Sequence, residues 1–250
     1  MKAVIEKWYK KLSFPKEWDA NFRLLLERKE LVPCRIAEYD NSCEDKEQNL
    51  LMYLFFCEEL SESYAARGID ENVFYDTVSD VLIWAKVHYG INGALGLTET
   101  NWLARHFAMK LYRLGRLQFC MAEGELEIHI AEGDSLTPEK CENSISLAKA
   151  FFKKHFPDFK YDKFTCHSWL LDETLLRFVG EDSNIAKFRS MFEIRSSEEA
   201  DDALKYIFRR DATRENLSSF TPKSSLAKKI FDHVQNGGKL YCALGEIRKH

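Results

Sequence analysis

Arg116-Leu-Gln-Phe119 and Glu125-Leu-Glu-Ile-His-Ile130, joined through Met121-Ala-Glu-Gly124, decide the fold class of this chain. Polar and apolar residues alternate along both segments and a small-residue turn separates them, which predicts an antiparallel hairpin. Strand side chains point alternately to opposite faces, so Leu126, Ile128 and Ile130 share one face while Glu125, Glu127 and His129 share the other. Upstream of Arg116 apolar residues recur at intervals of three and four, which predicts helices. One follows Pro15 and carries Trp18, Phe22, Leu25 and Leu26. Another covers about 44–66. A third is capped by Asp70, buries Phe74, Val78, Val81, Leu82 and Ala85, and stops at Gly90; a fourth runs from Thr98 through Leu114. Downstream, Thr137-Pro138 opens a helix with the stripe Cys141, Ile145, Ala148 and Phe152, ended by Phe156-Pro157. Residues 164–171 read as a buried strand, helices follow Asp172 and Ser183, 222–235 read as a helix and 239–244 as a final strand. The stretch 193–220 yields only a helix or strand around 203–208. The fold class is α+β, a helical N-terminal half packed on a mixed α/β C-terminal half.

Composition narrows the function classes. The chain has 250 residues, enough for one large domain or two small ones, with 45% hydrophobic and 30% charged residues but only 11 Gly and 5 Pro. That is a packed globular profile. Lys and Arg number 36 against 40 Asp and Glu, a net charge of −4; neither half carries a basic arm, so nucleic acid is not expected as a partner. The seven cysteines are odd in number and form no C-x-x-C pair, which argues against a disulfide framework. The first residues reach charge before any apolar run forms, and no apolar segment approaches the roughly 20 residues a spanning helix needs, so no membrane is expected and the cytoplasm is the expected location. Neither metal-ligand spacing nor a P-loop, a dinucleotide fingerprint or G-x-S-x-G occurs.

Four short blocks, in order, carry a resemblance: Leu114-Gly-Arg-Leu-Gln-Phe119; His129-Ile-Ala-Glu-Gly133 with Leu136-Thr-Pro138; Ser168-Trp-Leu-Leu-Asp172; and Ser183-Asn-Ile185. Together they resemble the bacterial acyltransferase-domain proteins, which join a helical N-acyltransferase-like N-terminal domain to a GNAT-like C-terminal domain. The first ninety residues match only in being helical, and Ala131 stands where the family usually has Pro. The resemblance implies domains at 1–110 and 111–250. It also implies transfer of an acyl group from acetyl-CoA or another acyl-CoA to an amine, on a small molecule or a peptide. In GNAT enzymes a glycine loop led by Gln or Arg offers backbone N–H groups to the cofactor's pyrophosphate. The corresponding stretch here, 131–137, has one glycine, no leading Arg or Gln, and the acidic residues Glu132 and Asp134. The tyrosine that often protonates the departing thiolate is missing from 183–193. These departures motivate an alternative, a catalytically inactive GNAT-like binding or scaffolding protein.

Candidate residues follow from the chemistry. Acyl transfer to an amine needs a base, donors for the oxyanion and a proton source for sulfur. Glu127 and His129 share a strand face and qualify as base or water relay; the alternative is a face that is solvent-exposed or pairs with Arg116 and Gln118 on the neighbouring strand. Ser168 either positions substrate or bonds backbone, and Cys166 beside His167 cannot form a working pair because adjacent strand residues point apart. For the cofactor, Gly133, Ser135, Thr137 and Asn184 are the candidates, each with helix capping or turn formation as the competing role.

Overall fold

A computed structural model describes residues 1–248, and the chain divides into two units, 1–114 with 153–155 and 115–152 with 156–250. The first unit contains α1 (Lys2–Lys11), α2 (Asp19–Arg28), α3 (Lys46–Ala66), α4 (Glu71–Asn92), α5 (Thr100–Phe107) and the strand β1 (Leu111–Leu114). Its long helices begin where side chains can satisfy the free N–H groups of a first turn. Asp45 accepts from Gln48 N at 2.9 Å and Asp70 accepts from Asn72 N at 2.8 Å. Aromatic residues fill the core: the Trp8 and Phe74 rings lie 5.3 Å apart, and Tyr64 meets Phe74 edge-on at 5.3 Å.

Two expectations are corrected in this unit. α4 runs two residues past Gly90, to Asn92, and is closed by Gly93, which takes the left-handed conformation (φ 66°). The helix expected from Thr98 through Leu114 stops at Phe107. Met109 occupies the left-handed region (φ 54°), its N–H reaches His106 O, and Lys110 N reaches Arg105 O. This is the closing geometry usually given to glycine, and it frees Leu111–Leu114 to form β1.

The second unit contains β2 (Leu117–Ala122), β3 (Gly124–His129), α6 (Pro138–His155), β4 (Tyr161–Ser168), α7 (Asn184–Ser190), β5 (Glu193–Glu199), α8 (Asp202–Ile207), α9 (Ser225–Gln235) and β6 (Tyr241–Arg248). Its strands lie in the order β2-β3-β4-β6-β5. β2 and β3 form the expected antiparallel hairpin, with Gly124 (φ 73°) at the turn. β3 and β4 are parallel, joined by the crossover through α6, and β6 runs antiparallel to both β4 and β5. Thus α+β describes the chain, with helices first and a mixed sheet after. β5 was not foreseen as a strand: its residues are nearly all exposed and polar, and it pairs with β6 through its backbone. The predicted strand over 164–171 ends at Ser168, after which Trp169–Leu171 coil into a 3-10 turn.

One sheet face is apolar, with Phe119, Leu126, Ile128, Phe164 and Cys166 all buried. The opposite face carries Gln118, Glu125, Glu127, His129, Lys163, Thr165 and Glu246. A second core, around Leu175, Leu204, Leu217 and Ile230, holds the later helices together.

Candidate active site

The pairing of β3 with β4 stops before either strand ends. Their register runs from Gly124↔Tyr161 to Glu127↔Thr165, whereas β3 continues to His129 and β4 to Ser168. Beyond that point each strand pairs only on its outer side, His129 with Gln118 of β2 and Ser168 with Ala243 of β6. Two parallel strands therefore part at their C-terminal ends, the end of an α/β sheet where ligands bind.

On the β3 side of the parting, Glu127 Oε2 lies 3.4 Å from His129 Nε2, as alternation along the strand requires, and both side chains are about one-third exposed (34% and 29%). A carboxylate behind an imidazole orients the ring and stabilises its charged form. Glu125, two residues earlier, accepts a hydrogen bond from Thr165 at 3.2 Å and pairs with Lys163. Lys163 also approaches Glu246, which pairs with Arg195, so charges of alternating sign run across this face.

On the β4 side, Ser168 Oγ accepts from Leu170 N at 3.1 Å and caps the 3-10 turn. Because the chain coils there, Ser168 and Asp172 do not lie along one strand face. The Asp172 carboxylate is buried and committed, accepting from Thr174 N at 2.8 Å and Tyr241 N at 3.1 Å. Cys166 is buried on the apolar face, where desolvation pushes its thiol up to about 12. It stays protonated at neutral pH and is no nucleophile. His167 points to the polar face and pairs with Glu198 at 3.2 Å.

Between β3 and α6 runs the loop 130–137. Gly133 has φ 146°, a conformation nearly closed to residues with a Cβ. Asp134 pairs with Lys140 and accepts from Ser135 N at 2.7 Å, and these contacts hold its carboxyl below the usual aspartate range. Ser135 is exposed at the loop's crest, and Thr137 caps α6 by accepting from Lys140 N at 3.4 Å. Asn184 is exposed at the start of α7; the cap there is Ser183, which accepts from Ala186 N at 3.1 Å.

The brace of this loop was not visible in the sequence. Arg116 is buried in the turn before β2 and donates to both Asp134 O and, at 2.9 Å, Ala131 O. Ser144 of α6 ties the same point down: its Oγ accepts from Arg116 N at 2.8 Å and donates to Lys140 O. GNAT loops usually carry their basic residue within the loop; here it arrives from the turn before β2, where only its position after Gly115 could have drawn attention.

Residues 111–247 match the model of the GNAT-like C-terminal domain, and residues 6–109 match that of the N-acyltransferase N-terminal domain. The chain belongs to this acyltransferase family. Among solved structures, an acyltransferase in complex with decanoyl-CoA and teicoplanin superposes on it with a TM-score of 0.74, at 27% identity over 80% of this chain and 66% of the other. An acyltransferase in complex with decanoyl-CoA gives 0.74 at 29% identity, over 81% and 66%. An acyltransferase mutant in complex with octanoyl-CoA gives 0.80 at 22% identity, over 98% and 87%, a likeness of fold. The chain thus spans 66% of the length of the first two. No curated protein matches it. Among the described residues, no helix is long and apolar enough to cross a membrane.

Proposed function

We propose that this family member transfers an acyl group from an acyl-coenzyme A thioester to an amine, on a small molecule or a peptide, at the place where β3 and β4 part. The observation that carries the reading is the end of their pairing at Glu127↔Thr165, with the Glu127–His129 pair on one lip and Ser168 on the other.

The chain's own residues fit a coenzyme A thioester. α6 presents its N-terminus beside the parting, and the free N–H groups of a first turn favour phosphate. Gly133, Ser135 and Thr137 line the approach. Lys140 offsets the charge of Asp134, one of the two acidic residues that weighed against phosphate binding in the sequence. Arg116 engages the carbonyls of Ala131 and Asp134, which steadies the backbone of the loop. Asn184 offers an exposed amide at the start of α7.

A bound thioester would supply the electrophilic carbonyl, whose C–S bond breaks as the new C–N bond forms. His129 accepts the proton that the amine nitrogen loses, and Glu127 stabilises the imidazolium so formed. The same ring then returns that proton to the departing sulfur, a task for which α7 offers no tyrosine. Ser168 retains its hydroxyl hydrogen while its oxygen accepts from Leu170 N, and can donate to a carbonyl lying between the strands.

Calorimetric titration with coenzyme A, acetyl-CoA, octanoyl-CoA and decanoyl-CoA tests the reading. Micromolar binding of at least one thioester is expected. Binding of none would remove the acyltransferase reading and leave the inactive, scaffolding alternative.

A further inference from the structure

Gln118 is 1% exposed, and its amide nitrogen has no hydrogen-bond partner in the protein. A buried donor left in this state keeps its desolvation cost uncompensated, so the residue destabilises the free protein where it stands. An apolar side chain of the same length would fill the position without that cost. The neighbours say what the amide faces. Gln118 is the register partner of His129, and it rises from the same sheet face as the Glu127–His129 pair. Directly opposed side chains on adjacent strands start about 5 Å apart at Cβ. Gln118 lies on the β2 side of His129, across β3 from the parting with β4.

We infer that Gln118 is the acceptor-selecting residue of this site: its amide N–H donates to an oxygen carried close to the amine of the molecule that is acylated. The inference rests on the acyltransferase reading above. The thioester approaches His129 from the parting, so the amine-bearing molecule meets the imidazole from the side where Gln118 stands. Glu127 attracts the cationic form of such an amine, and His129 takes its proton. An amide that can only donate through its nitrogen then selects a hydroxyl or carbonyl oxygen beside that amine. The acceptor class is an amino alcohol or an amino-acid amide rather than a plain alkylamine. A site built to bond such an oxygen rejects the analogue that lacks it, because its own donor would stay unpaired.

The test uses the full chain, octanoyl-CoA or decanoyl-CoA as donor, and paired acceptors that differ only by the oxygen: 2-aminoethanol against propylamine, and glycinamide against butylamine. Wild type should favour the oxygen-bearing member of each pair in kcat/KM by at least tenfold. Gln118→Met should abolish that preference while leaving the Kd for the thioester unchanged. Gln118→Met should also unfold no earlier than wild type, since the free protein gives the amide nitrogen no bond to lose. Equal rates on paired acceptors in wild type would overturn the inference. So would a lowered unfolding midpoint in Gln118→Met, because the amide would then have an internal structural role. Transfer to neither member while the thioester binds overturns it as well. Failure of thioester binding sinks the acyltransferase reading by itself, and the unfolding measurement still decides whether Gln118 carries an unused donor.

Discussion

Two histidine–carboxylate pairs occupy the two units of this molecule, and they differ in what surrounds them. In the helical unit, His106 Nε2 lies 3.0 Å from Asp80 Oδ2, and both side chains are closed to solvent (0% and 4%). The other ring nitrogen lies 3.2 Å from Trp102 O, and Trp102 Nε1 donates to the same Asp80 oxygen at 3.0 Å. Two buried rings, the His106 imidazole and the Trp102 indole, thus converge on one carboxylate oxygen. The Glu127–His129 pair in the sheet unit has the same chemical makeup, yet it sits at the end of a strand whose pairing has stopped and is one-third open. Residue types alone do not distinguish the two pairs; their access to solvent does.

The comparison can be broken most forcefully at Asp80. Replacing it by Ala strands two buried donors, and the loss should be about 3–5 kcal/mol in chemical denaturation. A loss under about 1 kcal/mol would mean the cluster is not a keystone of the helical unit. His129→Ala is the counterpart. Turnover should fall by roughly a hundredfold or more, with stability changed by less than about 1 kcal/mol, as expected of a pair one-third open to solvent. If that variant instead unfolds early, the two pairs are of one kind. The smallest effect concerns acid. His88 on α4 is buried and lies near Lys46, and both the desolvation and the neighbouring charge, in that order, lower its pKa. As pH falls below about 6.5, the unfolded chain takes up a proton that the folded chain refuses. Stability should therefore decline between that pH and the lower folded value. His88→Gln should flatten that part of the profile measured by denaturation at pH 7 and 5.5.

The hairpin at Leu117–His129 was legible because its alternation and its turn are local features. So were the caps Asp70, Thr137 and Ser183, whose side chains satisfy N–H groups two or three residues away. β5 was not legible. Its residues face solvent on both sides of an outer strand, and charge along such a strand looks like a loop in the sequence while guarding against unwanted pairing in the fold. Met109 defeated the helix boundary because a good helix former stands in the left-handed position that closes the helix. At the candidate site the sequence placed Glu127 and His129 on one face, which strand geometry alone dictates. It could not reveal the parting of β3 from β4, the double bond of Arg116 to the loop or the stranded amide of Gln118. Those depend on register between segments dozens of residues apart.

The parting has one more consequence. An unpaired strand edge normally invites another chain, and proteins guard their outer edges with charge, as β5 does here. Where β3 and β4 separate, two such edges face one another inside the sheet. Bulk chains cannot reach them, so the hazard of aggregation is removed without a charge being placed there. What remains is a stretch of each strand, 128–129 and 166–168, whose inner edge the other strand does not pair.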